Sequence, residues 1–429
     1  MTYQETTNYL FNQLPMFERQ GKTGYKSGLD NTLILDEHYG HPHTTFKTIH
    51  VAGTNGKGSC SHTIAALLQA NGYRVGLYTS PHLVDFRERI KVNGLEISEE
   101  YVVDFVEKGR AFFEPLHTSF FELTTALAFK YFSDQKVDVA VIEVGLGGRL
   151  DCTNIITPVL SVITNISFDH TQFLGNTLAS IASEKAGIIK RGVPVVVGES
   201  NEETRRVFES VAADKQAPVV FADDDGEVFS WQFVSDGSIE YSTCHYGRLK
   251  GCLSGTYQAK NTNTVLAAYK QMVGMGLVAD DVQLLQKAFT GVVEMTGLTG
   301  RWQVVGQRPK VICDTGHNEA AWRYLSTQLS SVKCRVMHVV FGMVDDKDIQ
   351  SVAEMLPKQA KYYFTQADSH RALKSTQVKS ICEGCGLVGD AYPSVTEAYT
   401  AAMHSAGKDD FIFVGGSSYV VADFLAKCF

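Results

Sequence analysis

Three stretches of this chain are apolar almost without interruption: VDVAVIEVG over 137–145, VLSVITNI over 159–166 and VPVVVG over 193–198. A strand with one wet face alternates polar and apolar residues, whereas a strand covered on both faces has no solvent side to mark. Short runs of this kind, separated by helix-length intervals, read as parallel strands between layers of helices. The segment FKTIHVAG (46–53) reads as a further strand, 59–70 as a helix stopped by Asn71-Gly72, and RVGLYT (74–79) as the next strand, which together make a βαβ unit. RIKVNGLEIS (89–98) turns on Asn93-Gly94, a pair that tolerates positive φ and predicts a hairpin. One large, mainly parallel sheet is expected.

At 429 residues the chain exceeds the usual size of a single core. Residues 222–256 change character, with acidic turns and short alternating segments such as EVFSWQF and SIEYST, as in an antiparallel edge or small subdomain. Helices are expected near 258–275 and 279–290, after which GLTGRWQVV carries Gly297 and Gly300 in a tight turn. A second alternating series follows at KVICDTG (310–316), RVMHVVFG (335–342), KYYFTQ (361–366) and DFIFVGGS (410–417). The expected division is a large domain over 1–296 and a smaller α/β domain over 297–429.

A formal net charge of -8 provides no basic field, so no nucleic-acid partner is expected, and an anionic substrate must be met by local Lys, Arg and backbone N–H groups. No run of eighteen apolar residues occurs, and MTYQETTNYLFNQL lacks the basic start and apolar stretch of a secretion signal. The chain is expected in the cytoplasm, as a monomer, with no membrane partner. The nine cysteines are scattered through contexts such as VICDTG and SVKCRV, and most read as small core residues. Cys382 and Cys385 form one CxxC with no second pair at metal spacing. His38, His41 and His43 read as a surface loop around Gly40 and Pro42, without an acidic or cysteine partner.

HVAGTNGKGS (50–59) places glycines, a lysine and a serine between a predicted strand and a predicted helix. The familiar phosphate loop reads GxxxxGK[ST]; here only Thr54 and Asn55 separate Gly53 from Gly56, and Gly58 intervenes between Lys57 and Ser59. The context still fits a phosphate site. Glycines let backbone N–H groups approach phosphate oxygens, the helix N-terminus adds partial positive charge, Lys57 supplies a mobile cation, and Ser59 a hydroxyl for magnesium or phosphate. Glu143 ends a buried strand at the carboxyl edge where open α/β sheets bind ligands, Ser80 ends YTS, and His170 follows another strand end in NISFDH. Their coincidence with the loop points to a magnesium site. Lys185, after Glu184 in ASEKAGIIK, reads by pattern alone as a solvated lysine or a partner of the last helical carbonyls.

The segments GTNGKGS, YTSPHL with FRERI downstream, IEVGLGGRLDCTN, ISFDH, EKAGIIKRG, GTYQAKN, TGRWQVV, DTGHN and DDKD follow one another between about positions 46 and 420. Together they resemble the folylpolyglutamate synthase and dihydrofolate synthase family of the Mur ligase superfamily, whose phosphate loop has this shortened form. The resemblance implies an α/β fold with an N-terminal P-loop ATPase domain, built on a large mainly parallel sheet, and a smaller C-terminal Rossmann-like α/β domain, with ATP at their interface. It implies that Gly53, Thr54, Asn55, Gly56, Lys57, Gly58 and Ser59 cradle phosphates and that Ser80, Glu143 and His170 hold Mg2+. Lys185 matches a lysine that the family carbamylates near a second metal. Asn261 would contact the nucleotide, Arg301 would reach the γ phosphate, Asp314 would hold the ribose side, and His317 would lie against the nucleotide. The usual family form DGAHN reads DTGHN here, so Thr315 and Gly316 depart from it, a change expected to be minor. His82, Arg89, Arg149, Asp151, Thr153 and Asn154 lie where the family binds folate or incoming glutamate, although Arg149 and Asp151 could equally pair with each other on a loop.

The implied activity is ligation driven by ATP. The terminal carboxylate of a folate attacks the γ phosphate, and the amine of L-glutamate displaces phosphate from the acyl phosphate to form an amide. Lys57, Lys185, Arg301 and His317 would be the catalytic groups, acting with magnesium through charge and position rather than through a covalent enzyme nucleophile. Three alternatives stand beside it. Another Mur-type ligase would act on a cell-wall precursor, a nucleotide-gated switch would need no such metal-ligand set, and a dehydrogenase finds little support in GLGGRLD, which lacks GxGxxG.

Overall fold

The buried valine and isoleucine runs lie in one sheet of the computed structural model, which describes residues 1–15, 28–345 and 347–429. Its strands are β1 (Lys47–Ala52), β2 (Val75–Tyr78), β3 (Ile90–Val92), β4 (Leu95–Glu96), β5 (Val139–Glu143), β6 (Leu160–Ile163), β7 (Val195–Val197) and β8 (Val219–Phe221), in the order β4-β3-β2-β5-β1-β6-β7-β8. From β2 through β8 every pairing is parallel. Strands β5, β6 and β7 are buried at every residue, which is why their sequences carry no alternation. The hairpin β3–β4 closes one edge, with Asn93 and Gly94 at φ 48° and 78°. The Glu99–Phe113 and Phe120–Asp134 helices bury Phe105, Phe113, Phe129 and Phe132 against Tyr78, Ala140 and Ile142 of the sheet.

Residues 222–251 open with a short helix, Ala222–Asp225, and continue as a separate antiparallel sheet of β9 (Val228–Phe233), β10 (Ile239–Thr243) and β11 (Arg248–Gly251). The chain divides into two units, Met1–Cys252 with Gln258–Leu298, and Leu253–Tyr257 with Thr299–Phe429. The grouping of Leu253–Tyr257 with residues far downstream is something no local pattern announces. The following helices run over Gln258–Gly274 and Val282–Thr296; the second starts later than the sequence suggests because Asp281 caps it, accepting from the N–H groups of Gln283 and Leu284, and it runs on to Gly297, which stops it in the left-handed region at φ 66°.

The second unit holds β12 (Gln303–Gln307), β13 (Lys310–Asp314), β14 (Met337–Phe341), β15 (Lys361–Phe364), β16 (Gly389–Ala391) and β17 (Phe411–Gly415). They are ordered β12-β13-β17-β14-β15-β16, all parallel except the edge strand β12. Trp322, Phe341, Phe364 and Phe413 fill its core. Cys382 and Cys385 are buried free thiols near the end of the Ser375–Gly384 helix. The histidine reading needs correction. His38 ends a helix and stacks on Phe112, whereas the ring nitrogens of His41 and His43 lie 2.7 and 2.6 Å from the buried Asp36 carboxylate. Among the described residues no group of three or more His, Cys, Asp or Glu side chains is gathered for a metal, and no helix is long and apolar enough to cross a membrane. Of the DDKD segment, Asp346 lies outside the described residues.

Candidate active site

The helix that follows β1 starts at Lys57, two residues earlier than the sequence pattern suggests, and Gly56 precedes it at φ 83° without a side-chain cap. An uncapped helix N-terminus presents its first N–H groups outward with partial positive charge. Space around the loop excludes side chains. A Cβ on Gly53 (φ 146°) would lie 1.8 Å from Thr164 Oγ1, and one on Gly56 would lie 2.2 Å from Asn261 Oδ1. The N–H groups of Thr54 and Asn55 point instead at Asn165, donating to its backbone oxygen and its Oδ1 at 2.9 Å each. The Thr164 hydroxyl donates to Asn55 O at 2.6 Å. The loop is thus braced from the end of β6.

Two lysines meet on one carbonyl. Lys57 Nζ donates to Gly53 O and Thr54 O at 3.0 Å each, and Lys185 Nζ donates to the same Gly53 O at 2.8 Å. Lys185 is only 4% exposed, so the reading of a solvated surface lysine is corrected: the residue sits near the end of the Leu178–Ala186 helix but turns inward to the loop. Burial first, and the Lys57 charge second, bring its pKa from 10.5 to about 7.

Glu143, at the carboxyl end of β5, is buried, and its Oε2 accepts the backbone N–H of Ser80 at 3.1 Å. That bond ties the ends of the neighbouring strands β2 and β5 together. His170 adopts the left-handed region at φ 50° and precedes the one-turn helix Thr171–Leu174. Asn261 Nδ2 donates to Gln258 Oε1 at 2.8 Å, and Gln258 Nε2 in turn donates to Ser59 Oγ at 3.1 Å.

Of the residues expected near folate or glutamate, His82 and Arg89 form one cluster. Arg89 Nε donates to His82 Nδ1 at 2.7 Å, and the guanidinium stands 5.1 Å from the Phe120 ring centroid. Phe11 and Phe86 adjoin the imidazole, and burial, then the Arg89 charge, hold His82 well below its ordinary pKa, hence neutral. The Arg149–Asp151 pairing does not form. Arg149 pairs with Glu184 at 2.7 Å, while buried Asp151 accepts from the N–H groups of Leu146 and Thr153 at 2.8 and 3.0 Å. Thr153 Oγ1 lies 2.9 Å from His50 Nε2, and Asn154 Nδ2 donates to Arg149 O and Gly187 O at 3.0 Å each. These three therefore shape the loop from inside.

In the second unit, Asp314 is a buried bracket. Its Oδ2 accepts from Tyr257 OH at 2.6 Å and Trp302 N at 2.7 Å, and its Oδ1 accepts from Gly316 N at 2.8 Å. Burial raises its pKa, with the Tyr257 hydrogen bond the largest opposing effect. Arg301 Nη1 donates to Thr315 Oγ1, and His317 Nδ1 lies 3.1 Å from Thr315 O.

Comparison with known proteins adds the decisive observation. Residues 51–269 match the model of the Mur ligase middle domain, and residues 300–418 match that of the Mur ligase glutamate ligase domain. The "Dihydrofolate synthase/folylpolyglutamate synthase" of Bacillus subtilis is 32% identical over 435 residues, covering 98% of each chain. The chain belongs to the folylpolyglutamate synthase/dihydrofolate synthase family of Mur ligases. The "Probable bifunctional folylpolyglutamate synthase/dihydropteroate synthase" of Haloferax volcanii is 33% identical over 99% of this chain, which spans 50% of that protein's length. The structure of Escherichia coli FolC in complex with DHPP and ADP superposes with a TM-score of 0.81 at 31% identity, covering 99% of this chain and 97% of that one.

Within this family fold, sequence reading passed over Thr164, Asn165, Gln258, Tyr257 and the hydroxyl of Thr315. Gln258 had a usable signal: it stands three residues before Asn261 at a helix start, so the two share a face. Thr164 and Asn165 had none beyond lying at the end of a strand.

Proposed function

We propose that this chain is an ATP-dependent ligase that adds L-glutamate to the terminal carboxylate of folates. Dihydropteroate is a second acceptor, a reading favoured by the double name of the Bacillus subtilis relative. The observation that carries the proposal is the convergence of Lys57 and Lys185 on Gly53 O at an uncapped helix N-terminus, in a chain of this family.

When bound, ATP supplies the phosphoryl group that activates the acceptor carboxylate. The first N–H groups of the Lys57–Ala70 helix and the Lys57 ammonium hold phosphate oxygens, Gln258 orients the Ser59 hydroxyl, and Gly53 and Gly56 keep the cradle open. Magnesium would be held by Glu143 with Ser80 and His170. One carboxylate with so few other donors suits an ion that keeps water and takes the rest of its ligands from phosphate. It would supply charge neutralisation at the phosphates.

Lys185 acts as an anion rather than as an ammonium. Its amine, largely neutral just above pH 7, forms a bond to the carbon of CO2 and releases a proton; the resulting carbamate places negative charge beside Lys57. His82, which packs on Phe11 and Phe86 and accepts from the buried Arg89, would lie against the pteroyl substrate. Arg301 would serve the transferred phosphoryl group, and His317 would contact the nucleotide.

The test is incubation of the purified chain with ATP, Mg2+ and L-glutamate and either tetrahydrofolate or dihydropteroate, with mass spectrometry of the acceptor and assay of ADP. One glutamyl residue gained per ADP is expected. Glutamate transfer to a UDP-linked cell-wall precursor but to neither pteroyl acceptor would replace the proposal with the other Mur-type ligase.

A further inference from the structure

We infer that Thr315 is the positioning residue for the Arg301 guanidinium; the inference rests on the ligase function proposed above. Thr315 is 4% exposed, and it grips one peptide unit twice: its backbone N–H donates to Gly300 O at 3.0 Å and its hydroxyl donates to the same oxygen at 3.1 Å. A hydroxyl has one proton and two lone pairs. With the proton committed to Gly300 O, only acceptor capacity faces Arg301, and Nη1 of that guanidinium donates to it. The polarity of the contact is therefore set by the backbone.

The β-branched side chain is stiff at χ1, so the oxygen has little freedom to follow the arginine away from this place. Neighbouring residues reinforce the same segment. Asp314 holds the backbone of Trp302, and Gly300 N donates to Gln303 Oε1 at 2.7 Å. A side chain at 316 would first have to displace Leu325, because a Cβ there would lie 2.4 Å from Leu325 Cδ1 and 3.2 Å from Asp314 Oδ1. The guanidinium of this chain thus depends on a hydroxyl at 315, and the departure from the family's DGAHN form that looked minor in the sequence fixes the direction of a charged group.

The experiment compares Thr315→Val, Thr315→Ala and Thr315→Ser, each alone and combined with Arg301→Ala, by steady-state kinetics of ATP-dependent glutamate addition and by thermal unfolding. Valine and alanine should lower kcat about tenfold with little change in the KM for ATP, as expected when a charge-assisted hydrogen bond that aims a transition-state contact is lost. Serine should restore most of the rate. In the Arg301→Ala background neither valine nor alanine should cost anything more. Equal losses with and without Arg301, or wild-type kcat in Thr315→Ala, would overturn the positioning role. If Arg301→Ala itself keeps the wild-type rate, the assignment of Arg301 falls and the role of Thr315 falls with it. If the wild-type chain adds no glutamate, it is the ligase reading that fails.

Discussion

Lys185→Met should change the pH dependence of stability, with a sign and size that follow from the surroundings of the amine. Burial and the nearby Lys57 bring the folded-state pKa from 10.5 to about 7, which at 1.36 kcal/mol per pH unit corresponds to a cost of about 5 kcal/mol for keeping the ammonium in place. Between those two values the unfolded chain holds a proton that the folded chain has released. The unfolded state therefore binds more protons, and stability rises with pH across that window. The cost is borne in full below pH 7 and is gone above 10.5. A methionine of similar length has no proton to exchange, so between pH 6 and pH 9 the wild type should gain about 3 kcal/mol relative to the variant. Urea unfolding of both proteins in carbonate-free buffer at several pH values measures the difference directly. Admitting CO2 at pH 8 should stabilise the wild type further and leave Lys185→Met unchanged. A difference that stays flat from pH 6 to pH 9 would show that the amine keeps an ordinary pKa and would remove the physical basis for carbamylation.

Lys57→Ala and Glu143→Ala should each abolish ATP-dependent amide formation while unfolding stays cooperative; normal turnover in either would withdraw that residue's assignment. Gly56→Ala should lower nucleotide affinity at least ~10-fold in titration calorimetry, because a side chain at φ 83° is strained and its Cβ would meet Asn261 Oδ1 at 2.2 Å. Tyr257→Phe should destabilise the second unit by about 1–2 kcal/mol through loss of the buried hydrogen bond to Asp314. In a Trp231→Phe background the remaining tryptophans, Trp302 and Trp322, both report that unit, so unchanged denaturation there would argue against the bracket.

The parallel sheet was legible because its central strands are buried on both faces and carry no polar alternation, and the phosphate loop because its glycines stand where a strand meets a helix. Lys185 was not legible by pattern. Its helix shows one charged residue after another at Glu184 and Lys185, and only the packing of that helix on the loop decides that Glu184 meets Arg149 while Lys185 turns inward to Gly53. Arg149 and Asp151 failed as a pair for a similar reason: backbone N–H groups of a tight turn compete for the carboxylate and win when it is buried. The His41–Asp36–His43 contacts join residues close in sequence, yet a loop of glycine, proline and histidine gives no direction for its rings. Thr315 was read as a minor departure because a hydroxyl beside Asp314 has no visible task until its two partners, Gly300 and Arg301, are brought back to it by the turn between them.

The central claim is that this chain activates a carboxylate by phosphoryl transfer from ATP before glutamate attacks. Tetrahydrofolate labelled with 18O in its terminal carboxylate tests it most directly, with the product phosphate examined by mass spectrometry after a single turnover with ATP, Mg2+ and L-glutamate. Phosphate carrying one 18O atom for each amide formed is the predicted result. Unlabelled phosphate accompanying labelled amide product would contradict the account, because the carboxylate oxygen would never have been bonded to phosphorus.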